Sequence, residues 1–141
     1  MFQSTSDPTA AYRKVGLESQ LDSASPHKLI VLLFDGALIA VANAQRHMEN
    51  QEIADKGNAI SRAIDIIANG LQASLNLEKG GSIAVQLDAL YEYMGERLLH
   101  ANLRNDPAAL KEVSALLQEL KSAWEKIADD PAALSPTSKG E

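Results

Sequence analysis

Apolar positions recur at spacings of three and four along most of this chain, and each run of them is bounded by residues that start or stop helices. Near the C-terminal end, Leu110, Val113, Leu117, Leu120, Trp124 and Ile127 form one stripe, with Lys111, Glu112, Glu119, Lys121, Glu125 and Lys126 between them. That is the pattern of an amphipathic helix with one buried face. Ile83, Leu87, Leu90, Met94, Leu98 and Ala101 repeat it, as do Ile53, Gly57, Ile60, Ile64, Ile67, Leu71 and Ser74, and before them Ile30, Leu33, Ala37, Val41, Ala44 and Met48. Ser25-Pro26 and Asp106-Pro107 each set an oxygen-bearing cap before a proline at the first helical position, where the missing N–H costs nothing. Between them, Glu78-Lys79-Gly80-Gly81-Ser82 reads as a helix end followed by a new cap, and Glu49-Asn50-Gln51-Glu52 as a tight turn. Short connections make successive helices antiparallel neighbours. The expected fold class is therefore all-α, an antiparallel four-helix bundle over residues 25–128.

The two ends break the pattern. Tyr12, Val15 and Leu21 lie among polar residues from Ala10 to Asp22, enough for a short amphipathic helix that needs support from elsewhere. Residues 1–24 are thus expected to be a flexible N-terminal arm with a short helix. Residues 129–141, with Asp129-Asp130-Pro131 and Ser135-Pro136-Thr137-Ser138, carry no periodic apolar face and are expected to be a disordered tail.

The first two helices carry more apolar surface than one core requires, since a closed bundle uses roughly a 100-degree stripe from each helix. Leu29, Leu32 and Ile39 lie on a face adjoining the first stripe, and Ala59, Ala63, Ile66, Gly70, Ala73 and Leu77 form a second seam of mostly small residues. Gly36, Gly57, Gly70 and Gly95 sharpen the point, because a glycine inside an exposed helix costs about 1 kcal/mol relative to alanine. Two readings stand side by side: a groove for an amphipathic partner segment, or wide interhelical burial with no partner. Under the groove reading, Leu32, Ile39, Ala59, Ala63, Ile66 and Leu77 would meet the partner. Ile66→Asp or Leu32→Asp would then weaken binding more than stability. Tyr93, beside Gln86, Arg97 and His100, is expected to be half exposed, as many interface tyrosines are.

Charge and composition narrow the function classes. A formal net charge of -6, with no basic stretch, argues against wrapping nucleic-acid phosphates or lying on an anionic membrane. Aromatic residues make up only 4%, so the core must be built from Leu, Ile, Ala and Val. The chain has no cysteine, which suits a reducing cytoplasm and removes disulfide and thiolate chemistry. Its start lacks the basic region and apolar run of a secretion signal. Leu29 to Ala42, interrupted by Asp35-Gly36, is expected to fall short of the roughly 20 apolar residues of a membrane span.

Candidate chemistry adds little. His27, His47 and His100 come from different segments without an i,i+4 pair, so no metal site and no cofactor are expected. His27 would support the first helix start. Asp35, Asp65 and Asp88 fall on polar faces, and no catalytic residues stand out. Two alternatives to a binding role remain: a histidine phosphotransfer bundle using His100 or His47, and a structural bundle that self-associates as a weak homodimer.

From Tyr12 to Ile127 the chain also resembles the flagellin-export chaperones of the FliS family. The likeness rests on Ala24-Ser25-Pro26-His27-Lys28-Leu29-Ile30, Leu33-Phe34-Asp35-Gly36-Ala37, Lys56-Gly57 followed by Ile60, and Gly80-Gly81-Ser82-Ile83-Ala84. It continues through Leu90-Tyr91-Glu92-Tyr93-Met94, Ala101-Asn102-Leu103-Arg104-Asn105-Asp106 and Ala123-Trp124-Glu125-Lys126-Ile127. Phe34 departs from the family's frequent tyrosine but keeps the ring. The resemblance implies a cytoplasmic helical bundle that binds the C-terminal segment of flagellin, prevents premature polymerisation and aids delivery to the type III export apparatus, where the cytoplasmic part of the export gate is a further expected partner. It also implies an N-terminal arm, here with Tyr12, Val15 and Leu17, that covers the groove or makes way for the client.

Overall fold

Ser25 opens the first helix as its sequence suggests: its Oγ accepts a hydrogen bond from the Lys28 N–H at 3.1 Å, with proline at the first helical positions. In the computed structural model, which describes residues 25–128, helix α1 spans Pro26–Glu49 and α2 spans Ile53–Asp65. A π-helical segment, Ile66–Gln72, continues α2, and α3 (Leu77–Arg104) and α4 (Pro107–Ala128) follow. No strand occurs among the described residues, and the fold is the all-α bundle expected.

Contacts along the helices give their order and direction. His27 and Asp35 of α1 reach Trp124 and Lys121 of α4. Lys56 and Gln72 reach Asn102 and Asp88 of α3, and Tyr93 and Arg97 of α3 reach Glu112 of α4. Each neighbouring pair is therefore antiparallel, with α1 and α3 both packed between α2 and α4. Leu33, Phe34, Ala37, Val41 and Ala44 meet Met94, Leu98, Ala101, Leu110, Val113 and Leu117 in one core.

Helix α1 is long and apolar enough to cross a membrane by length and composition alone, which corrects the expectation drawn from Asp35-Gly36. Half of that stretch is buried in the bundle, and the helix packs on α2, the π segment and α4. Its greasiness is that of a core helix.

The π segment decides how the second stripe is used. Its i→i+5 bonding, such as Ala73 N–H to Ala68 O at 3.1 Å, fits an extra residue into each turn. Residues 66, 67, 70 and 71, an i, i+1, i+4, i+5 set, already share one side of an α-helix, and the wider turn draws them closer together. Ile66 and Ile67 are buried, as are Gly70 and Leu71. Two more expectations fail at exposed ends of their stripes: Ile53 and Ile83 are 56% and 69% exposed, Ile53 as the first residue of α2 and Ile83 just past the bend at Gly81.

The glycine pair does not end a helix. The chain turns earlier, between Ala73 and Asn76, and Asn76 caps α3 through an Oδ1 that accepts from Lys79 N–H at 2.9 Å. Gly81, at φ 62 and ψ -142, bends α3 after its first turn, a conformation open to glycine at little cost. A Cβ on Gly80 would lie 2.5 Å from that of Ala84. Leu77 accordingly opens α3 instead of closing the second seam.

One buried cation ties the far end together. Lys56, 2% exposed, donates from Nζ to the Asn102 carbonyl at 2.9 Å and to Asn105 Oδ1 at 2.7 Å. Asn105 is the left-handed cap of α3, at φ 50 and ψ 50, so the ammonium sits at that helix's negative end. Lys56→Ala is expected to cost about 1–3 kcal/mol, since it removes a buried ammonium whose two hydrogen bonds tie α2 to the end of α3 and empties the space its stem fills. A urea titration reads this loss as a lower midpoint.

Candidate protein-binding groove

Between α1 and α2 runs an open groove of about 350 Å³. Leu32 and Ala40, both buried, form its floor with Gly36, whose missing side chain deepens it; Ala59 comes from the opposing helix, and Ile39 stands 61% exposed at its edge. Polar residues ring this apolar strip: Asp35 and Asn43 on α1, and Asp55, Asn58 and Arg62 on α2. An apolar floor with a polar rim suits one face of an amphipathic segment.

The groove gathers three of the residues singled out from sequence, Leu32, Ile39 and Ala59. It does not gather the others. Ala63 and Ile66 are fully buried core residues, a correction: Ala63 on α2 and Ile66 at the start of the π segment join the cluster that packs against α1, α3 and α4. Leu77, 48% exposed, lies at the start of α3, and Tyr93, 39% exposed, lies on α3 facing α4. Tyr12 and Val15 fall outside the described residues. The rim was missed because polar residues on a helix ordinarily signal a solvated face. Its trace in the sequence is the i,i+4 pairing of Asn43 with His47 and of Asn58 with Arg62.

His47 closes one end of the groove and donates from Nδ1 to Glu52 at 2.6 Å. With Asp55 it forms a trio whose ligating atoms lie within 4.8 Å of one another, a grouping across the α1–α2 turn that i,i+4 spacing could not reveal. His100 meets Asp106 at 3.1 Å, while Asp106 Oδ1 accepts the Ala108 N–H at 3.0 Å and caps α4. Both histidines weighed as phosphoacceptors therefore have one ring nitrogen held by a carboxylate. His27 stacks on Trp124 at 5.2 Å and donates from Nε2 to its carbonyl at 2.7 Å, holding the start of α1 to the end of α4.

Tyr93 does not lie free on the surface. Its hydroxyl donates to Glu112, and Arg97 Nε donates to the other carboxylate oxygen at 2.8 Å. The tyrosine hydroxyl and then the guanidinium hold the Glu112 carboxyl below its usual range, and the bond to Glu112 raises the Tyr93 hydroxyl above its own.

A second cleft, of about 400 Å³, opens at the bundle end among Ile30, Leu75, Ile83, Leu87, Tyr91 and Trp124. Tyr91 is 4% exposed, and burial pushes its hydroxyl up to about 12. Because the unfolded chain would ionise this tyrosine near pH 10, stability is intact below that pH and falls as pH rises toward 12. Tyr91→Phe is expected to remove that loss, amounting to roughly 3 kcal/mol at most. Melting temperatures of the two proteins between pH 9 and 12 check it.

Residues 8–131 match the family model described as flagellar protein FliS. The flagellar secretion chaperone FliS of Salmonella typhimurium is 50% identical over 123 residues, covering 87% of this chain and 91% of that protein. Flagellar secretion chaperone FliSB of Pseudomonas aeruginosa is 49% identical over 116 residues, 82% of this chain and 91% of its own. FliS of Escherichia coli is 43% identical over 126 residues, 89% and 93% of the two chains. These names describe chaperones, a role without catalysis.

Proposed function

The chain belongs to the FliS family of flagellar secretion chaperones, and from that membership and the groove between α1 and α2 we propose that it binds the C-terminal segment of flagellin. The single observation that carries this reading is the exposed Ile39 standing beside Leu32, Gly36 and Ala59 at an apolar trough with a polar rim. A flagellin terminus is an amphipathic segment that packs against its neighbours in the filament. A chaperone that buries the same apolar stripe competes directly with polymerisation, so masking and prevention are one event.

On this reading the protein works in the cytoplasm, before export, and delivers its client to the cytoplasmic part of the export gate. Ordering a client segment costs a few kcal/mol, so affinity must come from a long apolar contact and not from a few polar anchors. Residues 1–24, with Tyr12 and Val15, act as the arm that exchanges with the client, and 25–128 as the binding domain. Exchange supplies a way to release the client, since a segment that competes for the groove shifts the equilibrium by its own affinity.

Titration calorimetry of the full chain with a peptide from the flagellin C-terminus tests the proposal. One-to-one binding at micromolar or lower concentration is expected. No heat at that concentration would overturn it.

A further inference from the structure

On the side of α2 away from the groove, α2 and α3 leave a second trough, lined by Ile64, Ala68, Gly95 and Leu99 and edged by Glu92 and Glu96. Leu99 and, one turn further, Leu103 are 59% and 79% exposed, so the apolar face of α3 continues outward past the core. Gly95 sits in the middle of a long helix, where an alanine would favour the helix more. Nothing lies within 4 Å of where its Cβ would be, so no packing inside the bundle explains the glycine. A backbone approaching from outside would.

The rim indicates what approaches. Its charged lining residues are both carboxylates, with Asp88 close by, accepting from the Gln72 amide at 3.0 Å. A second copy of this chain, at net charge -6, would bring like charge to an acidic face, and an anionic membrane or a nucleic acid would do the same. We propose that the α2–α3 face is a second docking surface, distinct from the groove, for an amphipathic helix of another protein that carries Lys or Arg along both edges of its apolar stripe. Leucines of that helix would cover Leu99 and Leu103, its backbone would cross closest at Gly95, and its cations would meet Glu92 and Glu96. Charge complementarity at such a rim acts mainly on association rate and selectivity. The inference does not rest on flagellin binding, and both surfaces can be occupied together because they lie on opposite sides of α2.

The probe is an 18-residue helical peptide of Leu and Lys in amphipathic register, with a Leu/Glu peptide of the same pattern as control, titrated into the full chain. The Leu/Lys peptide is expected to bind, more weakly as salt rises, and the Leu/Glu peptide not to bind. Gly95→Leu, which fills open space and so leaves the melting temperature at or above that of the parent, is expected to weaken Leu/Lys binding at least tenfold. Glu92→Lys combined with Glu96→Lys should do the same without filling the trough. Binding unchanged in both variants, or equal binding of the two peptides, would overturn the proposal. So would competition between the Leu/Lys peptide and the flagellin peptide, or sedimentation showing a dimer that Gly95→Leu dissolves. Failure of the flagellin peptide alone to bind would count only against the first groove.

Discussion

Ile66→Asp is expected to leave the protein without a cooperative thermal transition, as is Leu117→Asp. Ile66 is fully buried in the π segment and belongs to the same core cluster as Leu33, Met94 and Leu117. Losing a buried isoleucine costs about 2–5 kcal/mol. The aspartate replacing it must stay protonated, and a carboxyl pKa raised by about 3 units adds roughly 4 kcal/mol at neutral pH. Together these approach the whole stability of a domain of this size, about 5–15 kcal/mol. Circular dichroism during heating checks the result. A folded Ile66→Asp protein melting within about 5 degrees of the parent, which is no more than about 1 kcal/mol for a small domain, would mean that the π segment does not bury this side chain.

Ile39→Asp should do the opposite, leaving the fold intact and removing the client. The residue is 61% exposed, so a charge there stays in water, and surface substitutions usually change stability by no more than about 0.5 kcal/mol. In the complex the same carboxylate would be buried against the client's apolar stripe. Truncating or charging such an anchor costs about 2 kcal/mol or more, a thirtyfold loss of affinity. Calorimetry with the flagellin peptide, alongside a melting curve, separates the two effects. Leu32→Asp is a poorer test than its place on the helix suggested, because Leu32 is only 5% exposed and serves both the trough and the core. Undiminished affinity in a folded Ile39→Asp protein would remove the client from the α1–α2 groove.

Reading the chain residue by residue went furthest where one local rule acted alone. Ser25 caps through its own oxygen and Asp106 through its own carboxylate, interactions spanning two or three residues that no distant packing can reverse. The stripe of α4 was equally legible: Leu110, Val113 and Leu117 are fully buried and Leu120 and Trp124 partly so, since a straight α-helix converts spacing into facing. Three of the groove's apolar residues could be named in advance from the same periodicity, which set Leu32, Ile39 and Ala59 off the main stripes.

The amino-acid order by itself determined the helices of α1, α3 and α4, their principal buried faces and the excess of apolar surface on the first two helical segments, because these depend on neighbours within a few residues. Only the tertiary structure decided how that excess was shared. Ala63 on α2 and Ile66 and Ile67 in the i→i+5 segment 66–72 all went into the core, and Gly81 bent α3 where its sequence suggested an end. What stayed outside was Ile39 at the α1–α2 groove, and Leu99 and Leu103 beside Gly95. Periodicity specifies a direction around one helix axis, but whether that direction meets another helix or open water depends on the phase of each helix against the rest. A π turn alters that phase without changing the spacing of residues along the chain.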